Sequence, residues 1–190
     1  MKTAIIAHGW SGSPDEPMLK WVRQSLQGKG YTVIAPSMPH PDTPTIEDWV
    51  ECLTDNAPVL NESVCFIGHS VGCQTILRYL ETIPEGTKVG TVVLIAPWVD
   101  LTVENLDEEE EESVARPWMD TPIDFEKVKT HIKKIVVIFS TDDPYVPLES
   151  NKQLLEEKLD AKTIILENKG HFTESDDVVD LPELLEEILE

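Results

Sequence analysis

The residues with the clearest chemical meaning form the run Gly68-His69-Ser70-Val71-Gly72. A G-x-S-x-G pattern carries weight when a buried strand leads into it and a helix leaves it. The turn between them is tight and strains the serine backbone, and side chains two residues either side would collide, hence the two glycines. A serine hydroxyl is a weak nucleophile until a base removes its proton. The chain offers five histidines: His8, His40, His69, His131 and His171. His69 adjoins the serine but is expected to point elsewhere on such a turn. His131 falls in a helical stretch and reads as a surface or packing residue. His40, between Pro39 and Pro41, is a loop residue without an assigned role. A base in turn needs an acid to hold it, and Ser140-Thr141-Asp142-Asp143-Pro144-Tyr145-Val146-Pro147 supplies two neighbouring carboxylates. Developing negative charge on a substrate oxygen needs backbone N–H donors. The residue after the serine, Val71, is one. The run His8-Gly9-Trp10-Ser11-Gly12 is expected to supply the other from Trp10, with Gly9 admitting substrate close to the backbone. A packed strand end is the plainer alternative for His8.

Six stretches are short, β-branched and almost continuously apolar: Thr3 to His8, Tyr31 to Ala35, Val64 to Gly68, Thr91 to Ala96, Ile135 to Phe139 and Lys162 to Leu166. Strands read this way when both faces of a parallel sheet are covered. Helix signals fill most gaps. Ser13-Pro14-Asp15-Glu16 looks like a cap, a proline in the first turn and acidic residues beside it, with Gly28 and Gly30 as the stop. Thr45-x-x-Asp48 resembles a capping box ahead of Trp49, Val50 and Leu53. Further helices are expected from about Ser70 to Ile83, around Phe125 to Ile132, from Leu148 to Leu159 and over Leu181 to Leu189. Strands alternating with crossover helices imply one right-handed, doubly wound sheet of about six parallel strands with helices on both faces. The whole of residues 1–190 reads as one domain. The serine then sits where the third strand meets its helix. His171 lies in the loop between the last strand and the last helix.

One stretch breaks the rhythm. Leu101 to Ile123 is acidic and poorly periodic, and it contains six consecutive carboxylates, Asp107 to Glu112. Calcium loops alternate their ligands with other residues and need a glycine turn. This run has neither, so it is expected to be a solvated insertion or a helix end, and no metal or cofactor is expected anywhere in the chain. With 15 basic and 36 acidic residues, the net charge is −21, which disfavours nucleic acid and anionic membranes as partners. The longest apolar runs fall far short of the roughly 20 residues that span a bilayer. The three cysteines, Cys52, Cys65 and Cys73, lack metal-ligand spacing and read as reduced thiols, which favours a cytoplasmic protein. No secretory leader is visible, and a monomer is expected.

These features together resemble the α/β-hydrolases, and specifically the small serine hydrolases of the retinoblastoma-binding-protein-9 family. The similarity rests on His8-Gly9-Trp10, the elbow around Ser70, Arg116-Pro117-Trp118, Ser140 to Pro144 and Gly170-His171-Phe172. It implies a compact fold without a large cap domain. The chain order serine, acid, histidine is that of the α/β-hydrolases. In that fold the base occupies the place of His171, and the acid a D-x-x-V-P setting like that of Asp143, with Asp142 as the fallback. The resemblance thus implies Ser70, Asp143 and His171 as a catalytic triad acting on a small-molecule acyl substrate. Trp98, after the fourth strand, and Trp118, in the insertion, are expected to wall the acyl pocket or else to be buried structural residues. The family's vertebrate member carries an L-x-C-x-E segment before its elbow, associated with retinoblastoma-protein binding. Here Leu60-Asn61-Glu62-Ser63-Val64 lacks the cysteine and the final glutamate, so that partner does not transfer. The expected activity is hydrolysis of small carboxylic esters through an acyl-enzyme. An amidase or aminopeptidase, and a hydrolase-like protein-interaction module, are the alternatives.

Overall fold

A computed structural model of the protein describes residues 2–102 and 109–189. Six strands, β1 (Thr3–Ala7), β2 (Thr32–Ile34), β3 (Val64–His69), β4 (Val89–Ile95), β5 (Ile132–Ser140) and β6 (Lys162–Leu166), form one sheet. Every neighbouring pair is parallel, and the order is β2-β1-β3-β4-β5-β6. Seven helices accompany them among the described residues: α1 (Pro17–Gly28), α2 (Ile46–Asn56), α3 (Val71–Thr82), α4 (Glu109–Asp120), α5 (Phe125–His131), α6 (Leu148–Leu159) and α7 (Pro182–Leu189). The chain moves outward from β1 to β2, returns to β3 and then proceeds to β6. The topological switch therefore lies between β1 and β3, whose carboxyl ends form the expected ligand crevice.

The apolar runs match their burial. All six residues of β3 are buried, as are the last six of β5, because helices cover both faces. The edge strands β2 and β6 are shorter or more exposed. Two strands begin earlier than their apolar character suggests. The ladder pairs Val89 with Ile132 and Thr91 with Lys134, so β4 and β5 extend below the apolar stretch. Polar side chains at that end have partners there: Lys133 pairs with Glu62, and Lys134 with Glu187 of α7.

The first helix starts three residues later than its proline signal suggested, at Pro17 and not at Pro14. Ser13 to Glu16 is a turn, in which the Glu16 N–H donates to the Ser13 carbonyl (3.3 Å) and the Asp15 N–H to the Ser13 hydroxyl (3.2 Å). Glu16 is extended, with ψ 140°, as a residue preceding proline prefers. At α2 the capping signal holds: the Thr45 hydroxyl accepts from the Asp48 N–H at 3.2 Å.

The acidic stretch contributes a helix, α4, that packs Ala115 and Trp118 into the core. Asp107 and Glu108 lie outside the described residues. The far end of α4 is tied to α3 by Arg78. Its guanidinium donates to the carbonyls of Trp118 (2.9 Å) and Thr121 (2.7 Å), which the end of the helix leaves without partners of its own. Glu112 and Arg116 form an ion pair one turn apart on its exposed face. No helix among the described residues is long and apolar enough to cross a membrane.

Candidate active site

Ser70 sits at the junction of β3 and α3 with φ 52° and ψ −122°, a left-handed conformation that costs a non-glycine residue of order 1–3 kcal/mol. The surrounding packing holds it there. The Ser70 N–H donates to the Ile95 carbonyl of β4 (2.9 Å), and its own carbonyl accepts from Cys73 N–H (2.9 Å). The glycines are needed for closeness and not for their own dihedrals. A Cβ on Gly72 would lie 2.4 Å from the Ala7 carbonyl oxygen and 2.5 Å from that of His8. On Gly68 it would lie 2.8 Å from the Cys73 backbone. Bare backbone on both sides is thus what lets α3 start against the end of β1.

Asp143, His171 and Ser70 form a continuous hydrogen-bonded series. His171 Nδ1 lies 2.8 Å from Asp143 Oδ2, and His171 Nε2 lies 2.9 Å from Ser70 Oγ. The Asp143 side chain is almost fully buried. Its other oxygen accepts the N–H groups of Tyr145 (2.9 Å) and Val146 (3.1 Å). A carboxylate beside Nδ1 makes that nitrogen the donor, leaving Nε2 as an acceptor for the serine proton. Asp142 faces another way. Its Oδ1 accepts from the Ser140 hydroxyl (2.6 Å) and the Gly170 N–H (2.9 Å), tying the end of β5 to the loop that carries His171. Those donors, the Ser140 hydroxyl first, hold its carboxyl below the usual range.

The loop of His171 is fastened by residues that the motif reading did not reach. Asp176 Oδ2 accepts the N–H groups of His171 (3.0 Å) and Thr173 (3.0 Å) and the Thr173 hydroxyl (2.6 Å). The Thr173-x-x-Asp176 spacing, a capping signature, was legible in the sequence. His69 was expected to point away from the site, yet its ring lies 5.3 Å from that of His171 and lines the same cavity. His69 Nε2 lies 2.8 Å from the His171 carbonyl oxygen. A carbonyl can only accept, so Nε2 carries the proton and Nδ1 does not. Burial, and then the neighbouring His171, hold the His69 pKa down at about 4.

A cavity of about 180 Å³ opens over Ser70. Gly9, Trp10, Trp98, Tyr145 and His171 line it together with the carboxylate-bearing Glu16 and Glu111. Burial raises the Glu16 carboxyl above its usual range. Gly9, Trp10 and Trp98, expected at a substrate pocket, thus border the cavity over Ser70. The Trp10 indole is pinned by donating to the Asp42 carbonyl (2.9 Å), and no protein acceptor among the described residues takes its backbone N–H. The Val71 N–H opens α3, where helix geometry leaves it without an internal partner.

Two expected pocket residues lie elsewhere. His8 is buried below the cavity, and both ring nitrogens are engaged. Met38 N–H donates to Nε2 (2.9 Å), so Nδ1 is the protonated nitrogen, donating to the Gly9 carbonyl (2.8 Å). Burial lowers its pKa and favours this neutral form. His8 is thus a cross-brace between β1 and the Met38 loop, not a substrate contact. Trp118 is likewise absent from the cavity wall. It packs edge-on against Trp49, and its indole donates to the Pro44 carbonyl at 3.0 Å. It is the core anchor of α4. Among the described residues, no group of three histidine, cysteine or acidic side chains is placed to hold a metal ion.

The likeness to known proteins is broad. YdeN of Bacillus subtilis is 30% identical over 183 residues, covering 95% of this chain and 91% of that one. The serine hydrolase RBBP9 of Rattus norvegicus is 31% identical over 170 residues, covering 88% and 80%. The crystal structure of the B. subtilis ydeN gene product matches at a TM-score of 0.87 and 26% identity, over 100% of this chain and 99% of that one. Est1E of Butyrivibrio proteoclasticus, solved with ferulic acid bound, matches at 0.72 and 15% identity over 100% and 90%, a likeness of fold. The sequence model of the family described as serine hydrolase matches residues 4–189. With that match spanning nearly the whole chain and a serine held at a strained elbow beside a histidine, this protein belongs to the serine hydrolase family.

Proposed function

We propose that the protein hydrolyses small carboxylic esters through a Ser70-His171-Asp143 triad and an acyl-enzyme. The observation that carries this reading is the series Asp143 Oδ2 to His171 Nδ1 (2.8 Å) and His171 Nε2 to Ser70 Oγ (2.9 Å). In acylation, Ser70 Oγ attacks the acyl carbon while its proton passes to His171 Nε2. The carbonyl π pair moves to oxygen, where the N–H groups of Trp10 and Val71 receive it. Collapse breaks the bond to the alkoxy group, which leaves with the proton from His171 as an alcohol. Water then repeats the sequence on the acyl-enzyme and releases the acid. Asp143 keeps the imidazole in the required tautomer and stabilises it when it becomes charged.

The size of the cavity, about 180 Å³, favours short acyl groups. Its wall of Trp10, Trp98 and Tyr145 suits an apolar chain. The test is labelling by a fluorophosphonate probe combined with turnover of esters of graded acyl length and of aminoacyl amides. The expected result is label on Ser70 alone, loss of label and turnover in Ser70→Ala with the fold retained, and fastest turnover of short esters. Label persisting at another serine in the variant overturns the nucleophile. Amides turned over in preference to every ester overturn the substrate class.

A further inference from the structure

The geometry points to Trp98 as a further catalytic residue, whose indole N–H supports the charge that develops on the serine oxygen itself. This rests on the reading of Ser70 as the nucleophile. Trp98 Nε1 lies 3.3 Å from Ser70 Oγ, although the two residues are 28 positions apart. An indole nitrogen can only donate, so Ser70 Oγ must be the acceptor. A hydroxyl has one proton and two acceptor sites. The proton faces His171 Nε2, 2.9 Å away. The indole occupies one acceptor site, and the other is left for the carbon under attack.

The arrangement is built, not incidental. Trp98 is 2% exposed. Ala96, at the end of β4, adopts φ 46°, the left-handed region that a residue other than glycine enters only under constraint. That bend turns the chain where β4 ends, and Trp98 lies against the elbow. The Ala96 N–H is held by the Ile138 carbonyl of β5 (2.8 Å). The segment behind the tryptophan is clamped by Asn151 of α6, itself buried. Asn151 Oδ1 accepts the N–H groups of Val99 (2.7 Å) and Asp100 (3.2 Å), and its amide donates to the Asp100 carbonyl (3.0 Å). The donor is therefore in place before reaction, as electrostatic catalysis requires.

The chemistry gives the contact a differential effect. In the resting enzyme Oγ is a neutral acceptor at a long 3.3 Å. As His171 takes the proton, Oγ becomes alkoxide-like, and a hydrogen bond to a charged acceptor shortens and strengthens. In the acyl-enzyme the same atom is an ester oxygen and a poor acceptor. The indole therefore favours the attack in acylation and the departure of Ser70 Oγ in deacylation over the states that flank them, and only such a difference accelerates a reaction. It is distinct from the oxyanion donors, which serve the substrate oxygen.

The test compares wild type, Trp98→Phe and Ser70→Ala. Phenylalanine keeps an aromatic wall and removes the N–H. Trp98→Phe is expected to lose about tenfold in the second-order rate of fluorophosphonate labelling at Ser70 and in kcat/KM for a short ester, while inhibition by the product acid stays within about twofold. Labelling of Trp98→Phe within about twofold of wild type overturns the role of Trp98 while leaving Ser70 as nucleophile. A wild type unlabelled at Ser70 overturns both. A second measurement guards against a misfolded variant. In an NMR spectrum of the indole N–H groups of the five tryptophans, Ser70→Ala is expected to move the Trp98 resonance upfield and leave the other four in place. An unmoved Trp98 resonance refutes the hydrogen bond.

Discussion

The buried His69 makes acid stability a direct test of how the site is assembled. Its ring is 3% exposed, its Nε2–H donates to the His171 carbonyl at 2.8 Å, and burial, then His171, hold its pKa down at about 4. In the unfolded chain the same imidazole titrates near 6.5. The folded state therefore takes up this proton later than the unfolded state as pH falls. Stability from His69 is complete above about pH 6.5 and is lost progressively towards pH 4, below which both states are protonated. Each pH unit inside that window costs about 1.4 kcal/mol, so the loss between pH 6.5 and pH 5 is about 2 kcal/mol. That is a large share of the 5–15 kcal/mol stability of an ordinary domain.

Other groups bear on the same window. Asp143 and His8 lie near His69; the first raises its affinity for a proton and the second lowers it. His8, depressed by its own burial, adds to the acid loss, and Glu16, raised by burial, opposes it. Asp142 and Glu187 are lowered from 3.8 and 4.5, so they contribute only on further acidification. All of them remain in His69→Gln, whose amide nitrogen can still donate to the His171 carbonyl but cannot titrate. The assay is urea unfolding of wild type and His69→Gln at pH 7.5, 6.5, 5.75 and 5.0, at constant ionic strength. Wild type is expected to lose about 2 kcal/mol more than the variant over this range, whatever the offset between them at pH 7.5. Parallel profiles would mean that the folded site takes up a proton on His69 as readily as the unfolded chain does, and the depression of its pKa by burial would fall.

Two further outcomes follow from the same contacts. Asp143→Asn should lower kcat roughly 10⁴-fold, the loss known for the best-studied triad, whereas Asp142→Asn, which keeps an acceptor oxygen for Gly170 N–H, should cost less than about tenfold; equal losses in steady-state kinetics would refute the division of roles. Gly72→Ala puts a methyl 2.4 Å from the Ala7 carbonyl oxygen, a clash with backbone that cannot rotate away. It should destabilise by about 3 kcal/mol or more in denaturant unfolding, and a change under about 1 kcal/mol would show that α3 and β1 separate freely.

The amino-acid sequence by itself determined the architecture and the place of Ser70 at the turn from β3 into α3. Burial on both faces turns a strand into an unbroken apolar run, so β1, β3 and β6 could be read within a residue or two. The elbow is equally local, since Gly68 and Gly72 record in residue type the closeness of backbone that the turn demands. Chain order then placed His171 and the Asp142-Asp143 pair at the right edge of the sheet. What the sequence could not decide was direction and long-range contact. Adjacent carboxylates alternate in where they point, and only the packed loops show Asp143 on His171 and Asp142 on Gly170. His8 and Trp118 have the right types and neighbourhoods for a pocket, but the sheet and α2 turn both inward, where carbonyls and Met38 N–H satisfy them. The late start of α1 and the long β4–β5 ladder come from a turn and a register that periodicity does not encode. His69 on the His171 carbonyl and Trp98 on Ser70 Oγ join residues 102 and 28 positions apart. Local pattern carries backbone state and burial because neighbouring residues set both, whereas a side chain's partner is chosen by the whole packed interior.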